Sequence, residues 1–395
     1  MGRTEPSIGR PPAAFRKDAR AKKAKATLNQ TIPQLLSAHP RARRGIEAAE
    51  LIVDPSPGDR KAEIKKSNGQ DGSDPPGPRL CLQVADTLTA ARSLLARDTP
   101  SGVTLDLGNK NARVAILNMA SPLSPGGGFL NGAGSQEESL CMRTTLLPSL
   151  KDEYYRLPEV GAIFTPDVLV FRDEEAEDVL EKNDRFFVNC ITSAMLRGPE
   201  IDVNELGRGS YTNEKDRELV LQKMKMVMRI CQAKGVKRLV AGAWGCGAYG
   251  NPVGEIARAW KKVLLPPRKN SKGKQKGAKE TWDGVEEVVF AIKDAGMAEA
   301  FAEAFGEGLS RDESPDADQD DEEEEVDPEE VKRQELQVKI RELEKRIEAT
   351  ANPRVKEGLT SILEGLRKQL PEDTGSDAGE PDPSSEEDAG TDTER

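Results

Sequence analysis

Three hydrophobic patterns divide this chain. Between Arg79 and Gly306, short and nearly continuous apolar runs alternate with stretches of helical spacing. RLCLQVAD, from Arg79, predicts a strand, and Asp86 is placed to cap the helix DTLTAARSLLAR. RVAILNMAS is almost wholly apolar and predicts a strand buried on both faces. A glycine-rich loop follows it, then a helix through about Leu150. DVLVFR, FFVNCIT, RLVAGAWG and VEEVVFAIK predict further strands. Helical spacing covers Thr212 to Lys234, with Leu219, Leu221, Met224, Met228 and Ile230 apolar, and again Pro252 to Val263. A last helix, MAEAFAEAFGEG, ends at glycine. Strands alternating with helices predict an α/β sheet covered on both faces, which binds ligands outside the carboxyl ends of its strands.

On either side of this core the pattern changes. Thr27 to Val53 has helical spacing, broken near Pro40. Ile32, Leu35 and Leu36 form one apolar face, and Ile46, Ala49 and Val53 another, so this extension is expected to pack on the core. Asp54 to Pro78 reads as a linker. Beyond the core, Leu336, Ile340, Leu343 and Ile347, then Val355, Leu359, Ile362 and Leu366, repeat at three- and four-residue steps around Asn352-Pro353. That is a helical hairpin or a dimer coil. The expected organisation is therefore a basic disordered arm over 1–26 with helix expected only near its end, a helical extension and linker over 27–78, and the core over 79–306. An acidic disordered linker over 307–330, a helical hairpin or coiled coil over 331–370, and an acidic disordered tail over 371–395 complete it.

Charge and composition narrow the function. The net charge is −11, with cations concentrated early and acids late. An acidic balance argues against direct sequence-specific nucleic-acid binding. The basic first segment reads as a nuclear signal, a contact for an anionic polymer, or a solvated charge run. There is one histidine, His39, before Pro40 and expected at the surface. A Ser-His-Asp or Cys-His site would have to use it, and a His-rich metal site cannot be built, so catalysis is expected to run on carboxylates, and no cofactor is expected. The five cysteines, Cys81, Cys141, Cys190, Cys231 and Cys246, are scattered and form no Cys-x-x-Cys pair, as for reduced intracellular thiols. No apolar run is long enough to span a bilayer, and MGRTEPSIGRPP lacks a signal-peptide core. A soluble cytoplasmic or nuclear protein is expected. The C-terminal helices and acidic tail are where a protein partner is expected.

Chemistry concentrates in LNMASPLSPGGGFLNGAGSQEESLCMRTTLL. A buried strand ends near Asn118, and Gly126, Gly127 and Gly128 allow backbone conformations and close approaches that side chains forbid. Exposed N–H groups in such a loop suit an anion such as a diphosphate. Gln136, Glu137 and Glu138 open the next helix, where carboxylates are favoured. Two adjacent carboxylates facing one ligand repel, which raises a pKa and leaves one of them a usable acid. A second segment, VAGAWGCGAYGNPVGEIARAW, repeats the strand–glycine–helix design through Gly245, Cys246, Gly247 and Gly250. It lacks the lysine of a P-loop and the spacing of a dinucleotide fingerprint. Tyr249 could stack on a ribose or base there. Trp244 and Trp260 read as core, and Cys141, with no histidine partner, as a packed thiol.

The spacing of GGG, seven residues, then QEE resembles the signature of the bacterial-type poly(ADP-ribose) glycohydrolases, a macrodomain variant. Asn118, Leu140, Arg143, Thr144 and Leu146 agree with it, and GAWGCGAYGNP is similar to the family's diphosphate-binding loop. The similarity runs from about Arg79 to about Gly306 and, more weakly, from about residue 27. It implies a macrodomain-like mixed α/β sheet sandwiched by helices. It implies cleavage of the ribose–ribose bond of poly(ADP-ribose), or action on ADP-ribosylated proteins, with no metal. Glu138 would be the general acid and base, and Glu137 would hold a ribose hydroxyl. Asn118 would bind the distal ribose. Gly126, Gly127, Gly128, Gln136, Gly245, Cys246 and Gly247 would line the ribose and diphosphate, with Tyr249 beside the distal ribose. Ser135 replaces the family's frequent alanine, and Met142 stands in a commonly basic pair. Two other readings share the motif: a non-catalytic ADP-ribose-binding macrodomain, and a hydrolase for single ADP-ribose units.

Overall fold

The computed structural model describes residues 13–57, 77–99, 102–174, 178–205, 207–265, 280–312, 336, 340, 343, 344, 346, 347 and 353–368. The chain divides into two compact units, Met1–Gln334 and Glu335–Arg395.

The first unit is built on an eight-stranded sheet. Its strands are β1 (Glu50–Val53), β2 (Arg79–Gln83), β5 (Val114–Met119), β6 (Gly161–Val170), β7 (Phe186–Ser193), β10 (Arg238–Ala241), β11 (Glu287–Ala291) and β12 (Ser310–Asp312). Their order is β1-β6-β7-β5-β10-β11-β2-β12. From β7 to β12 the pairing is parallel, whereas β6 and β1 add antiparallel strands at one edge. Two small hairpins, β3 (Ala96–Thr99) with β4 (Gly102–Leu105) and β8 (Ile201–Val203) with β9 (Gly209–Tyr211), stand outside it.

The apolar runs read as buried strands because their two faces feed two different cores. Leu80, Leu82, Ala115, Leu117, Leu239, Ala241, Val288 and Phe290 point to one side, under α6 (Glu214–Ala233), α7 (Val253–Leu264) and α8 (Ala295–Phe305). Cys81, Val114, Ile116, Val240 and Val289 point to the other, under α4 (Thr87–Ser93) and α5 (Gln136–Arg143). Asp86 caps α4, accepting from Leu88 N at 2.9 Å. The fold is thus a mixed α/β sheet between helical layers.

The N-terminal segment differs from its sequence reading in two places. The basic arm expected to be disordered over 1–26 is helical from Ala13, as α1 (Ala13–Ala26), because Ala24 is fully buried and gives that helix an anchoring face. The helical spacing through Val53 also misleads. Glu50–Val53 is strand β1, paired to Ala162 and its neighbours, since an edge position satisfies the backbone that a free helix end would leave open. Between them, α2 (Ile32–Ala38) and α3 (Pro40–Glu47) seat Ile32, Leu35 and Ala42 against Leu169 and Phe171. Gly45 lets α3 touch β6: a Cβ there would lie 2.2 Å from the Pro166 carbonyl oxygen. His39 is half-buried rather than at the surface, edge-on to Phe187 and 3.1 Å from an Arg185 nitrogen.

Two boundaries move at the other end. Helix α5 stops at Arg143 instead of running to Leu150, because Thr144 turns extended and bridges Val170. The core does not close at Gly306: residues 310–312 form β12 beside β2, so the first residues of the expected acidic linker belong to the sheet. Residues 266–279 and the acidic stretches from 313 to 335 and from 369 onward lie outside the described residues. In the second unit, α9 (Pro353–Arg367) is tied to the helical residue Glu344 by an ion pair from Arg367 at 2.6 Å. Among the described residues, no helix is long and apolar enough to cross a membrane.

Candidate active site

Strands β5 and β10 are neighbours, and their pairing ends at Ile116 and Val240. Beyond that point they part. Each then runs into a glycine-rich loop, so both loops open at the same edge of the sheet, outside the carboxyl ends of the strands.

Gln136 fills the gap on the β5 side. Its Oε1 accepts from the Met119 N–H at 2.9 Å, and its Nε2 donates to the Leu117 carbonyl at 2.9 Å and to Thr87 Oγ1 at 3.1 Å. The side-chain amide thereby serves the backbone groups of β5 that β10 leaves unpaired. Both side-chain polar atoms of Gln136, expected to line the ligand, are thus engaged with the protein, and they hold the start of α5.

Glu137 and Glu138 follow, and both are buried. Glu137 Oε1 accepts from Asn118 Nδ2 at 3.3 Å, and its Oε2 accepts from the Ser121 N–H at 2.7 Å. Glu138 Oε1 accepts from the Gly128 N–H at 2.7 Å, and its Oε2 meets the Ser135 hydroxyl. The two carboxylates close around Gly127. That residue has φ +56°, and a Cβ on it would stand 2.5 Å from Glu138 Oε1 and 3.0 Å from Glu137 Oε2. Burial, then the charge of Glu138, push Glu137 well above the ordinary carboxylate range, against hydrogen bonds from Ser121, Asn118 and Gly126. Glu137 therefore retains a proton more readily than an isolated carboxylate would.

The remaining predicted residues assemble around this pair. Asn118 is fully buried, gives a second 3.3 Å bond to Thr192 Oγ1, and has its Oδ1 without a partner in the chain among the described residues. Gly126, at φ +69°, packs where a Cβ would stand 2.7 Å from Leu147 Cδ1. On the opposite loop, Gly245, at φ +79°, passes Asn251 and Met195 too closely for a side chain. Gly247 is exposed. Among the described residues, the backbone N–H groups of Gly247, Ala248 and Tyr249 make no hydrogen bond, and α7 starts four residues later with its N-terminus at the same loop. Free N–H groups beside a helix N-terminus suit a phosphate. Tyr249 lies half-buried on this loop within electrostatic reach of Glu137 and Glu138, and burial first, then Glu137, pushes its hydroxyl above the ordinary range. Cys246 is half-buried, and burial pushes its thiol up, as burial and then the two glutamates do for Cys141. Neither is poised as a thiolate nucleophile. Among the described residues, no group of His, Cys, Asp and Glu is arranged to hold a metal ion.

This geometry can be set beside known proteins. Residues 54–173 match the family model described as the microbial-type PARG catalytic domain. The matched segment carries β2 through β6 and with them both GGG and QEE. The chain is also similar in fold to poly(ADP-ribose) glycohydrolase from Thermomonospora curvata, with a TM-score of 0.53 and 24% identity, covering 73% of this chain and 100% of that one. The same enzyme bound to the inhibitor ADP-HPD gives a TM-score of 0.50 at 24% identity, with coverage of 73% and 100%. For the Deinococcus radiodurans poly(ADP-ribose) glycohydrolase in complex with ADP-ribose, the TM-score is 0.45 at 20% identity, covering 67% of this chain and 97% of that one. No curated protein matches the chain. The resemblance carried by the GGG–QEE spacing is thus met by a family model and, separately, by the fold.

Four contributors to the candidate site had no role assigned from the sequence. Ser121 donates to Glu137 through its backbone N–H, and its hydroxyl oxygen accepts from the Leu123 N–H at 3.3 Å. Ser135 holds Glu138, three positions ahead of it, a spacing that marks helix starts. Asn251 is buried and pins the second loop, donating to Leu196 O at 2.7 Å and Gly245 O at 2.9 Å while accepting from the Tyr211 hydroxyl at 2.8 Å. Tyr155 is half-buried near Glu137, with a hydroxyl oxygen that is itself buried and unpartnered among the described residues. Asn251 was readable as the polar residue of GNP; Tyr155 comes from a loop whose path only the tertiary structure reveals.

Proposed function

We propose that this chain is a glycosidase of the poly(ADP-ribose) glycohydrolase type. It hydrolyses ribose–ribose O-glycosidic bonds and releases ADP-ribose from chain ends. The observation that carries this reading is the buried pair Glu137 and Glu138, folded around Gly127 beside a loop of unengaged N–H groups.

The residues divide the work by how they are held. Glu137 is bound at both oxygens by fixed groups, the Asn118 amide and the Ser121 N–H, and suits a positioning role toward a ribose hydroxyl. Glu138 Oε2 is held only by the rotatable Ser135 hydroxyl, and this is the oxygen freer to exchange a proton with substrate. In the proposed step the Glu138 carboxyl protonates the leaving ribose oxygen as the glycosidic bond breaks. The oxocarbenium-like sugar then takes water, whose proton returns to Glu138. The Asn118 Oδ1, without a partner in the chain among the described residues, is an acceptor for a ribose hydroxyl. The Gly247–Tyr249 backbone receives the diphosphate.

Product analysis tests this. The purified protein is incubated with automodified poly(ADP-ribose), with a protein carrying single ADP-ribose units, and with free ADP-ribose in a calorimeter. Release of ADP-ribose from the polymer supports the reading. Release from the mono-modified protein alone would replace it with a mono-ADP-ribosyl hydrolase. Binding without release would make the chain an ADP-ribose-binding module.

A further inference from the structure

Helix α1 is the most cationic described segment of an acidic chain. It carries Arg16, Lys17, Arg20, Lys22, Lys23 and Lys25 against the single acid Asp18, while the whole chain has a net charge of −11. Such a helix repels itself and gains little from its own i,i+4 pairs. It is held by docking instead.

The docking site is the loop between the GGG turn and α5. Arg20 Nε donates to the Gly132 carbonyl at 2.8 Å. Gly132 has φ +79°, and a Cβ there would be 2.1 Å from the Lys17 carbonyl oxygen, so helix backbone lies directly on loop backbone. Three residues later, Ser135 holds Glu138. Ala24 is buried in the same apolar cluster as Phe129, Leu140 and Cys141, and the Thr27 hydroxyl accepts from Arg172 at 2.9 Å just past the end of α1. The helix is therefore fixed beside the catalytic loop. Lys22 and Lys25, one turn apart, face solvent, and Lys23 is half-exposed between them. None of the three enters an ion pair among the described residues.

We propose that this exposed cationic face is a track for the polymer beyond the unit held in the active site. The inference rests on the function proposed above. It adds that polymer binds more tightly than a single ADP-ribose, since the units next to the bound one bring their diphosphates into the field of α1. A charged surface of this kind acts within roughly 10 Å at ordinary salt, which restricts it to units adjoining the site.

The test compares wild type with a Lys22→Gln/Lys23→Gln/Lys25→Gln variant, measuring Kd for ADP-ribose and for long poly(ADP-ribose) at low and moderate salt. The expected result is unchanged ADP-ribose affinity and polymer affinity lower by about tenfold. The dependence of log Kd on log salt should be shallower by up to about 2, at ~0.7 per lost contact. A triple Lys→Arg variant, which keeps the charge, should bind polymer like wild type. Polymer affinity unchanged in the Gln variant, or equally lost in the Arg variant, overturns the proposal. So does wild type binding a single-stranded oligonucleotide of matched charge as tightly as polymer, which would make α1 a nucleic-acid surface. The readouts are binding constants, so a protein that binds polymer with this pattern but never cleaves it fails as a hydrolase while the track stands.

Discussion

Gln136 and Met119 are joined by a 2.9 Å hydrogen bond in which the Met119 N–H donates to Gln136 Oε1. With its partner bond to the Leu117 carbonyl, it makes one side chain substitute for a missing strand where β5 and β10 separate. The opening that admits a ligand and the helix that carries the acids are thus set by the same residue. Gln136→Leu removes all three bonds and leaves the Leu117 and Met119 backbone groups unsatisfied. A loss of about 1–3 kcal/mol per stranded group is expected, read as a fall in Tm together with activity.

Gly127 sets how closely the carboxylates approach the loop. Gly127→Ala places a methyl group 2.5 Å from Glu138 Oε1 at a residue whose φ is +56°. Both carboxylates must move away. Activity should fall at least a hundredfold, the lower range for losing a positioned acid, with a stability loss of only about 1–3 kcal/mol from backbone strain. Retained activity in the folded variant would show that the carboxylates tolerate displacement.

Glu137 makes stability depend on pH. Its carboxyl is raised in the folded state above its ordinary value of 4.5, first by burial and then by Glu138. The folded chain then holds a proton that the unfolded chain has released. This contribution is fully present below the unfolded value and is lost as pH rises through the raised one. Wild-type Tm should therefore fall relative to that of Glu137→Gln as pH increases above 4.5. Parallel Tm curves for the two proteins would contradict it.

The far end of α5 is anchored as firmly as its start. Arg143 meets Asp86 at 2.7 Å, with side chains 7% and 12% exposed, and Asp86 also caps α4. Despite burial, which acts to raise it, Asp86 sits below its ordinary pKa because of Arg143 and its hydrogen bonds. Arg143→Met strands that carboxylate, and a loss of about 3–5 kcal/mol is expected in chemical denaturation.

Much of this was legible in the sequence, and the failures have local causes. Continuous apolar runs gave β2, β5, β7, β10 and β11, whose alternation feeds two cores. The first half of β6 was missed because Pro166 and Asp167 interrupt its pattern; they form a bulge, with Asp167 at φ +52° and paired to Arg41. Strand β1 was hidden because four edge residues of mixed polarity fit a helix equally well. Only the end of helix α1 was legible, because its charge reads as a mobile arm while a buried alanine and a glycine contact 112 positions away hold it. The spacing singled out Glu137, Glu138 and the glycines, and the structure brings the two acids together around Gly127. The hydrogen bonds of Gln136 were not legible: sequence shows that an amide stands there, while only the divergence of β5 from β10 shows which backbone groups it satisfies.

The central claim is that Glu138 supplies the proton. Wild type and Glu138→Gln are incubated with automodified poly(ADP-ribose), and released ADP-ribose is quantified beside calorimetric binding of ADP-ribose. Glutamine keeps the contact with Gly128 and removes the exchangeable acid. The account predicts that wild type releases ADP-ribose, and that the variant binds ADP-ribose yet is slower by about a hundredfold to ten-thousandfold. A variant that cleaves at the wild-type rate would contradict it.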